Sequence, residues 1–567
     1  MSRWLLVPLV LTAALALSQP AFATDYCVNT ACGGTPKATL EDALTAAGAN
    51  DDADRIFLGS GVYQAQSLFG FHYDHPTAPV EIIGTGTHVS DTTLTAPPNG
   101  ANYVMFLRGG PGTSIHDLRI AIPANVAPGG EGLRTDATAH HLAVTADSPQ
   151  ANGVSGVDLT GGTLENSSVS LPIDQDSYGV ALQDVSASTI RDTAVDATTG
   201  IISGYGGTIE RTHVHAGIYG VLAYRNLTTI RNSWIELDGA APAVYGLLTA
   251  TSVNDGTDTT VVADGLDITG SGSPGSIAVL ASTGYAPSHS VDLTLTNSVI
   301  RGYKTTLRVA GGGPGHAHIV ASYSDYDSAK NFPYSNPAES ITQTNISNTG
   351  SAGFDMAYDD FLVPGGPLID AGDPATPQGL DLGGHDLVQD GNGDGIARRD
   401  IGAYEAPGIP LVGGGPSGPG GGSGAPASGD SSATGDSVAT GDAALPGAGA
   451  PLGDTLAPLV SGFTTSHKVF AVGPARTAVT ASVRGTRFAY RLSESAKVVV
   501  KIQRARGGRT VGKLIRAAKA GANTLRFSGR IGKRALRPGR YRAVITATDA
   551  AGNRSAPRRL SFRVVRG

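Results

Sequence analysis

The chain repeats the pattern Leu164-Glu-Asn-Ser-Ser-Val169, in which two aliphatic residues flank a polar pair with one spacer on either side. Further copies are Ile190-Arg-Asp-Thr-Ala-Val195, Ile209-Glu-Arg-Thr-His-Val214, Ile230-Arg-Asn-Ser-Trp-Ile235 and Leu295-Thr-Asn-Ser-Val-Ile300. The first four copies begin about 19 to 26 residues apart, and the last follows after a longer interval. Such intervals are typical of proteins built from stacked coils.

Each part of this pattern has a role in a stack of coils. The aliphatic residues point into a shared core, and the polar residues at the bend bond to the backbone of neighbouring coils. The pairs Val221-Leu222, Leu247-Leu248 and Val279-Leu280 are predicted to supply further inward side chains. From about Val80 to Tyr326 the sequence therefore predicts strands and turns.

A short helix is predicted to cap the start of this stack. Thr39 precedes a helical spacing of apolar residues that begins at Leu40 and ends at Ala47. A strand, Ile56-Phe-Leu58, and a glycine turn follow. Such a helix would cover the open end of the stack, where unpaired backbone groups otherwise invite aggregation.

These features resemble the right-handed parallel β-helix proteins of the pectate-lyase-like superfamily, over residues 25–345. The resemblance implies an all-β fold in which a right-handed parallel β-helix is followed by other modules. It does not imply one activity, because the superfamily includes lyases, hydrolases, esterases, adhesins and tail-spike proteins.

A second resemblance concerns Pro367-Leu-Ile-Asp370-Ala-Gly-Asp373-Pro and Asp400-Ile-Gly-Ala-Tyr-Glu405. Both halves are similar to the choice-of-anchor Q module that closes the solenoid of bacterial secreted or surface proteins. The resemblance implies an extracellular location and no particular reaction.

The first residues are typical of a secretory signal peptide. Met1-Ser-Arg3 precedes an apolar run to Leu17 and the small-residue site Ala21-Phe-Ala23. We therefore predict a signal peptide over residues 1–23, an extracellular or cell-surface location, and no membrane span after its removal. In that compartment Cys27 and Cys32, the only cysteines, are predicted to form a disulfide.

Composition divides the rest of the chain. We predict a β-helix with its cap and closing segment over residues 24–406, a flexible Gly/Pro/Ser-rich linker over 407–458, and a small basic β-sandwich over 459–567. The last range holds 25 Lys and Arg and two acids, whereas the rest of the chain holds 16 basic and 46 acidic residues. Its stretch Leu536 to Ser555 resembles bacterial immunoglobulin-like or fibronectin-like modules.

The best catalytic candidates in the sequence are His213, His215 and Arg225. Alternate strand residues share a face, so His213 and His215 project together beside inward Val214. Arg225 is the candidate base of a polysaccharide lyase. A solvated histidine pair explains the same pattern without catalysis. Asp174 and Asp176 form a weaker candidate acid pair, because other polygalacturonase motifs are absent.

Asp390-Gly-Asn392-Gly-Asp394-Gly395 has the spacing that opens a calcium loop, with oxygen ligands at positions 1, 3 and 5. The closing ligand is missing, because position 12 is Ile401. A tight Gly/Asp turn explains the stretch equally well. Calcium is the only cofactor that the sequence suggests.

We therefore predict a secreted or cell-surface, non-enzymatic protein that serves in adhesion or binds polysaccharide or an anionic wall polymer. The alternative is a polysaccharide lyase or glycoside hydrolase acting on an acidic polysaccharide. Clustered carboxylates with a basic residue on an outer side of the β-helix would favour the enzyme. Outer sides without such a cluster would favour the binding protein. Nucleic acid is not expected as a partner, since the basic region lacks an aromatic stacking platform.

Overall fold

We describe the chain from a computed structural model. The structure describes residues 24–406, 408, 458 and 460–565, except for the gaps 98–99, 124–128, 147–152, 174–175, 185–186, 238–240, 242, 253–256, 285, 313, 333–337, 356–360, 364, 376–377, 466–468, 472–484, 493–494, 505–509, 520, 532–533, 550–553 and 556–557. The predicted signal peptide and nearly all of the predicted linker lie outside these residues.

The chain winds into a right-handed parallel β-helix with three faces, as predicted. The first face contains Asp25–Val28, Asp54–Leu58, Val80–Gly84, Ser114–His116, Thr138–His140, Thr163–Glu165, Thr189–Arg191, Gly207–Glu210, the starts of Asn226–Leu237, Thr259–Gly270 and Ala317–Asp325, and Val291–Thr296 and Glu339–Ser347. The second face contains Gly61–Gln64, Thr92–Thr95, Arg119–Ile122, Ala143–Ala146, Ser168–Ser170, the starts of Ala194–Ser203 and His213–Tyr224, the ends of Asn226–Leu237, Thr259–Gly270 and Ala317–Asp325, and Val299–Arg301. The third face contains Phe71–His75, Tyr103–Gly109, Glu131–Thr135, Val154–Leu159, Ser177–Leu182, the ends of Ala194–Ser203 and His213–Tyr224, and Tyr245–Ala250, Ile277–Ser282 and Thr305–Ala310.

The two aliphatic positions of the repeated pattern form two inward stacks. Leu164 and Ile190 lie in register on the first face, and Val169 and Val195 lie in register on the second. All four are at most 1% exposed. Fully burying one such side chain contributes about 1.5–3 kcal/mol, so the stacks hold neighbouring coils together.

The polar pair forms the corner between the first and second faces. Its first residue takes a left-handed conformation that Asn and Asp tolerate well, as in Asn166 with φ 48° and Asp192 with φ 50°. Its second residue is buried and caps the preceding coil: the Leu142 N–H donates to Ser167 Oγ at 3.0 Å. The predicted role of this pair is confirmed.

Glycines line the inner side of the third face at Gly132, Gly156, Gly179, Gly200, Gly220 and Gly246. A Cβ atom at Gly200 would lie 2.1 Å from Val214 Cγ1, so the second and third faces approach closely because side chains are missing there. The chain's 78 glycines partly reflect this packing.

The prediction for the adjacent aliphatic pairs is half correct. Val221 and Leu247 point inward and are fully buried. Leu222 and Leu248 instead lie in the outer row, in register with Ile202 and Leu280, and are not part of the inner core. Residues on a strand alternate between its sides, and each pair therefore divides between the inner core and the outer side of the strand, where Leu222 and Leu248 are still only 6% exposed.

The predicted helical cap spans Leu40–Ala47. The Asp42 N–H donates to Thr39 Oγ1 at 3.1 Å, which caps the helix N-terminus. A disulfide joins Cys27 and Cys32 beside this cap, as predicted. Thr35–Lys37 pairs with the first strand.

The segment after the last coil folds back over the second face. We call residues 361–406 the closing segment. Two 3-10 turns, Ser328–Lys330 and Gly350–Ala352, precede it. Its side chains Phe361, Leu368 and Tyr404 share a small core with Trp234 of the β-helix. The segment thus covers the side of the solenoid rather than only its end.

The C-terminal residues form a second, sandwich-like unit. An antiparallel sheet contains Val460–Thr465, Thr486–Leu492 and Gly521–Phe527. A mixed sheet contains Val469–Ala471, which pairs in parallel with Arg558–Val565, and then Gly539–Thr548, Ala496–Arg504 and Thr510–Ala518 in antiparallel order. Arg530–Ile531 and Arg534–Ala535 form a small hairpin. Aromatic rings fill the core, including Phe488 and Phe562. Among the described residues, no helix has the length and apolarity needed to cross a membrane.

Candidate functional site

Two carboxyl groups lie close together on the outer side of the third face. Glu131 begins its strand, and Asp158 lies on the next coil in register with Arg134. The Arg134 Nη2 atom donates to Asp158 Oδ2 at 2.9 Å, and Arg134 Nε lies 3.1 Å from Glu131 Oε2. The Glu131 and Asp158 side chains are only 13% and 5% exposed, so water screens this cluster weakly.

These carboxyls have altered acidity. Burial raises the pKa of Glu131 to about 7; the charge of Asp158 adds to this rise and Arg134 opposes it. Burial also raises the pKa of Asp158, against the hydrogen bond from Arg134. Glu131 Oε2 and Asp158 Oδ1 have no hydrogen-bond partner among the described groups, and a proton shared by the two carboxyls would satisfy both atoms. We therefore expect the pair to offer an acid and a base at neutral pH.

Three aromatic rings, His72, Tyr103 and Phe106, lie beside the carboxyl pair, and we call them the aromatic platform. The rings of His72 and Phe106 stack with centroids 4.8 Å apart, and Tyr103 lies 5.5 Å from Phe106. The Tyr103 hydroxyl lies 3.0 Å from His72 Nδ1. In strand register, Tyr103 is next to Glu131 and Phe106 is next to Arg134. Flat, rigid rings of this kind bind the apolar faces of flat ligands at low entropic cost.

The outer rows of the third face continue past the pair as an apolar track. One row runs from Asp158 through Ala181, Ile202, Leu222 and Leu248. The neighbouring row holds Tyr219 and Tyr245, whose rings stack with centroids 5.3 Å apart. Ala181, Leu222 and Leu248 are buried in these rows, and Ile202, Tyr219 and Tyr245 are partly exposed. The accessible part of the track is therefore formed mainly by the two tyrosines, on coils about 4.8 Å apart.

His213 and His215 lie on the second face, on the same side of their strand, as the sequence implied. His213 stacks on buried Trp234 with ring centroids 4.0 Å apart, and burial lowers its pKa although Glu236 opposes this. His215 Nδ1 lies 3.1 Å from Asp196 Oδ1. Asp196 also contacts Arg558 of the C-terminal unit. The two histidines thus lie in a packed region next to the closing segment.

Arg225 occupies another part of the coil. It follows the third-face end of His213–Tyr224 and takes a left-handed conformation with φ 60°. Its guanidinium lies over the Tyr205 ring at 4.6 Å and donates to Ser252 Oγ at 2.9 Å. The strand register therefore places Arg225 at a corner, and the histidines on a different face.

The proposed calcium ligands Asp390, Asn392 and Asp394 share one exposed loop of the closing segment. Asp390 Oδ1 accepts a hydrogen bond from the Gly393 N–H at 2.7 Å, and Asn392 Oδ1 accepts one from the Asp394 N–H at 2.8 Å. These bonds also describe a tight turn without metal, and calcium binding stays a prediction. Of the weaker acid pair, Asp174 lies outside the described residues and Asp176 is exposed.

Sequence reasoning missed Glu131, Arg134 and Asp158. Arg134 and Asp158 are 24 residues apart, which is one coil. Coil lengths vary, so this spacing alone does not place two side chains next to each other. The acid at Glu131 and base at Arg134 within one short strand are the signal that the sequence contained.

Comparisons with known proteins do not identify a function for this chain. Neither a family model nor a curated protein matches the chain. Among solved structures, the chain is similar to Escherichia coli YbhC, with 12% identity over 61% of this chain and 88% of that one and a TM-score of 0.27. It is also similar to the pectin methylesterase of Aspergillus niger, with 14% identity over 59% and 88% and a TM-score of 0.25. The catalytic domain of a GH87 alpha-1,3-glucanase shares 12% identity over 57% and 70%, with a TM-score of 0.24. At such low identities and TM-scores, these likenesses say nothing about activity.

Proposed function

We propose that this protein is an extracellular polysaccharide-binding β-helix protein whose third face holds the glycan. The observation that carries the proposal is the aromatic platform beside the Glu131–Asp158 pair. Stacked rings bind the C–H faces of sugars, and neighbouring carboxyls accept hydrogen bonds from sugar hydroxyls. The tyrosine row beyond it would let a polymer bind along several coils.

Charge favours a neutral glycan on this face. Residues 1–458 hold 46 acids and 16 basic residues, and a polyanion would be repelled by such a surface. Arg134 is engaged by both carboxyl groups and offers little free positive charge. We therefore place neutral polysaccharide on the third face and anionic polymer elsewhere.

Affinity electrophoresis with a panel of neutral and acidic polysaccharides tests this proposal. We expect a neutral glycan to retard the protein, and Phe106→Ala to weaken that binding about fivefold, because one aromatic contact contributes about 1 kcal/mol. The control is Phe57→Ala, which removes a partly exposed ring on the outer side of the first face. Equal binding by the two variants, or no retardation by any neutral glycan, would refute the third-face assignment.

Hydrolysis is a second candidate function, favoured by the two carboxyl groups of Glu131 and Asp158 beside Arg134, since clustered carboxylates with a basic residue are the arrangement expected of an enzyme. One carboxylate would activate water while the other carboxyl group protonates the leaving oxygen. The two carboxyl groups lie within hydrogen-bonding reach of each other, whereas glycosidase acid pairs are about 5 Å or more apart, so an ester substituent fits better than a glycosidic bond. A lyase fits less well, because Arg134 is already paired.

The C-terminal unit would anchor the protein to an anionic wall polymer. Its excess of Lys and Arg supports this role. An immunoglobulin-like or fibronectin-like identity is supported by the Tyr541 hydroxyl, which donates to the Arg537 carbonyl at 2.6 Å, as in a tyrosine corner.

Removal of residues 459–567 is expected to abolish retention on isolated cell walls at low salt. The full chain should be released as salt rises, because exposed charge pairs are screened. Retention of the truncated chain at the level of the full chain would contradict the anchoring role.

A further inference from the structure

Two histidines and one carboxylate meet on the first face, near the C-terminal end of the β-helix. Asp292 and His318 lie on neighbouring coils in direct register. His316 lies two residues before His318, directly before the strand that contains His318. The sequence His316-Ala-His318 therefore brings both rings to one carboxylate across a single strand spacing.

The distances fit ligands of one metal ion. His316 Nε2 lies 3.3 Å and His318 Nδ1 lies 3.5 Å from Asp292 Oδ1. The three ligand atoms lie within 4.8 Å of one another. Ligand atoms about 2.1 Å from a tetrahedral zinc ion are about 3.4 Å apart, which matches both measured separations. The two rings also stack, with centroids 4.2 Å apart.

A second layer of contacts orients one of these rings. His316 Nδ1 lies 2.9 Å from Ser290 Oγ, and the Ser290 N–H donates to Asp258 Oδ1 at 2.7 Å. With its proton on Nδ1 and donated to Ser290, His316 directs the Nε2 lone pair toward Asp292. Hydrogen bonds of this kind fix the tautomer of histidines that bind metals.

We propose that Asp292, His316 and His318 bind a divalent transition metal of the zinc class. Two imidazoles and one carboxylate suit Zn²⁺, Cu²⁺ or Ni²⁺ better than the oxygen-seeking Ca²⁺ or Mg²⁺. The histidine side chains are each 38% exposed and Asp292 is 52% exposed, which leaves room for water or a ligand at a fourth position. The site is separate from the third face and from the Asp390 loop.

Calorimetric titration of the chelator-treated full chain with ZnCl₂ tests this site. We expect one saturable Zn²⁺ per chain, and at least tenfold weaker binding in His318→Ala and Asp292→Asn. Ser290→Ala keeps all three ligands and should weaken binding about tenfold or more. His289→Ala is the matched control: its ring faces Asp258 at 3.7 Å, and Zn²⁺ affinity should be unchanged.

Cobalt absorption provides a second readout. Co²⁺ should give visible bands in the parent chain and in His289→Ala, and these bands should disappear in His318→Ala. Absence of saturable Zn²⁺ binding, or equal binding in the parent, His318→Ala and Asp292→Asn, would overturn the proposal. Loss of binding in His289→Ala together with its retention in His318→Ala would also overturn it. Circular dichroism of each variant checks that the fold is unchanged.

Discussion

Replacing Arg399 with alanine is expected to lower the free energy of unfolding of the closing segment by about 3 to 5 kcal/mol. Arg399 is fully buried; its Nη1 donates to Asp264 Oδ2 at 2.8 Å and its Nη2 to Asn232 Oδ1 at 2.6 Å. Burial and the charge of Asp400 raise the pKa of Glu405 to about 10, so Asp264 is the carboxylate that Arg399 neutralises. Removal of the Arg399 side chain leaves the Asp264 carboxylate without its cation.

The fluorescence of Trp234 reports this change. In residues 24–567 Trp234 is the only tryptophan, and its ring meets Phe361 of the closing segment at 4.8 Å. Urea unfolding followed at this residue should shift to lower urea in Arg399→Ala. Arg398→Ala is the control: its side chain is 37% exposed and pairs with exposed Asp394, a contact worth at most about 1 kcal/mol. Equal shifts in the two variants would contradict the account of the buried arginine.

Glu131→Gln and Asp158→Asn are expected to lower any hydrolytic rate at least a hundredfold. A positioned acid or base contributes about 10² to 10⁴ in rate, and each substitution removes one of the two roles. The assay scores acid release from esterified glycans, new reducing ends and unsaturated products in parallel. The control is Asp74→Asn, whose carboxylate lies on the same face and pairs with Arg108 at 2.6 Å. Activity that survives both substitutions would dismiss the pair as catalytic.

The same pair predicts a pH dependence of stability. The pKa of Glu131 is raised in the folded state from its ordinary value of 4.5 to about 7. The folded protein therefore binds more protons than the unfolded chain between these values, and stability should fall as pH rises through this window. Glu131→Gln should flatten that fall. A parent protein whose stability rises over the same pH range would contradict the assigned acidity.

The repeated pattern was sufficient to predict the solenoid because every element of it has a local cause. Leu164 and Val169 are inward because residues on a strand alternate, and Asn166 turns the corner because it tolerates a positive φ. The helical cap could likewise be predicted, because Thr39 caps the helix that begins at Leu40. Features that have a local chemical cause can therefore be predicted from the sequence.

Long-range contacts could not be predicted in the same way. Arg399 pairs with residues 135 and 167 positions earlier, and no spacing rule connects them. Gly265 illustrates the result: Arg399 Nη2 would lie 2.0 Å from a Cβ at this corner, where other coils carry residues with side chains, such as Asn166 and Asp192. The need for glycine at position 265 can be explained only once the position of the closing segment is known.

The candidate site depends on coil register, which the sequence does not state. Glu131 and Asp158 meet because one coil separates Arg134 from Asp158 by 24 positions. His213 and His215 flank Val214, the second aliphatic position of one repeat, and they lie in a packed region next to the closing segment. The residues of the candidate site face outward between the repeats, and they share no repeat of their own.

A crystal structure of the chain with an oligosaccharide from the tightest-binding neutral glycan tests the central claim most directly. We predict that one sugar ring lies in van der Waals contact with Phe106 or Tyr103, about 4 Å away, and that a hydroxyl reaches the Glu131–Asp158 pair. The rest of the oligosaccharide should continue along the row of Tyr219 and Tyr245. An oligosaccharide bound only to the first or second face, or only to the C-terminal unit, would contradict the account.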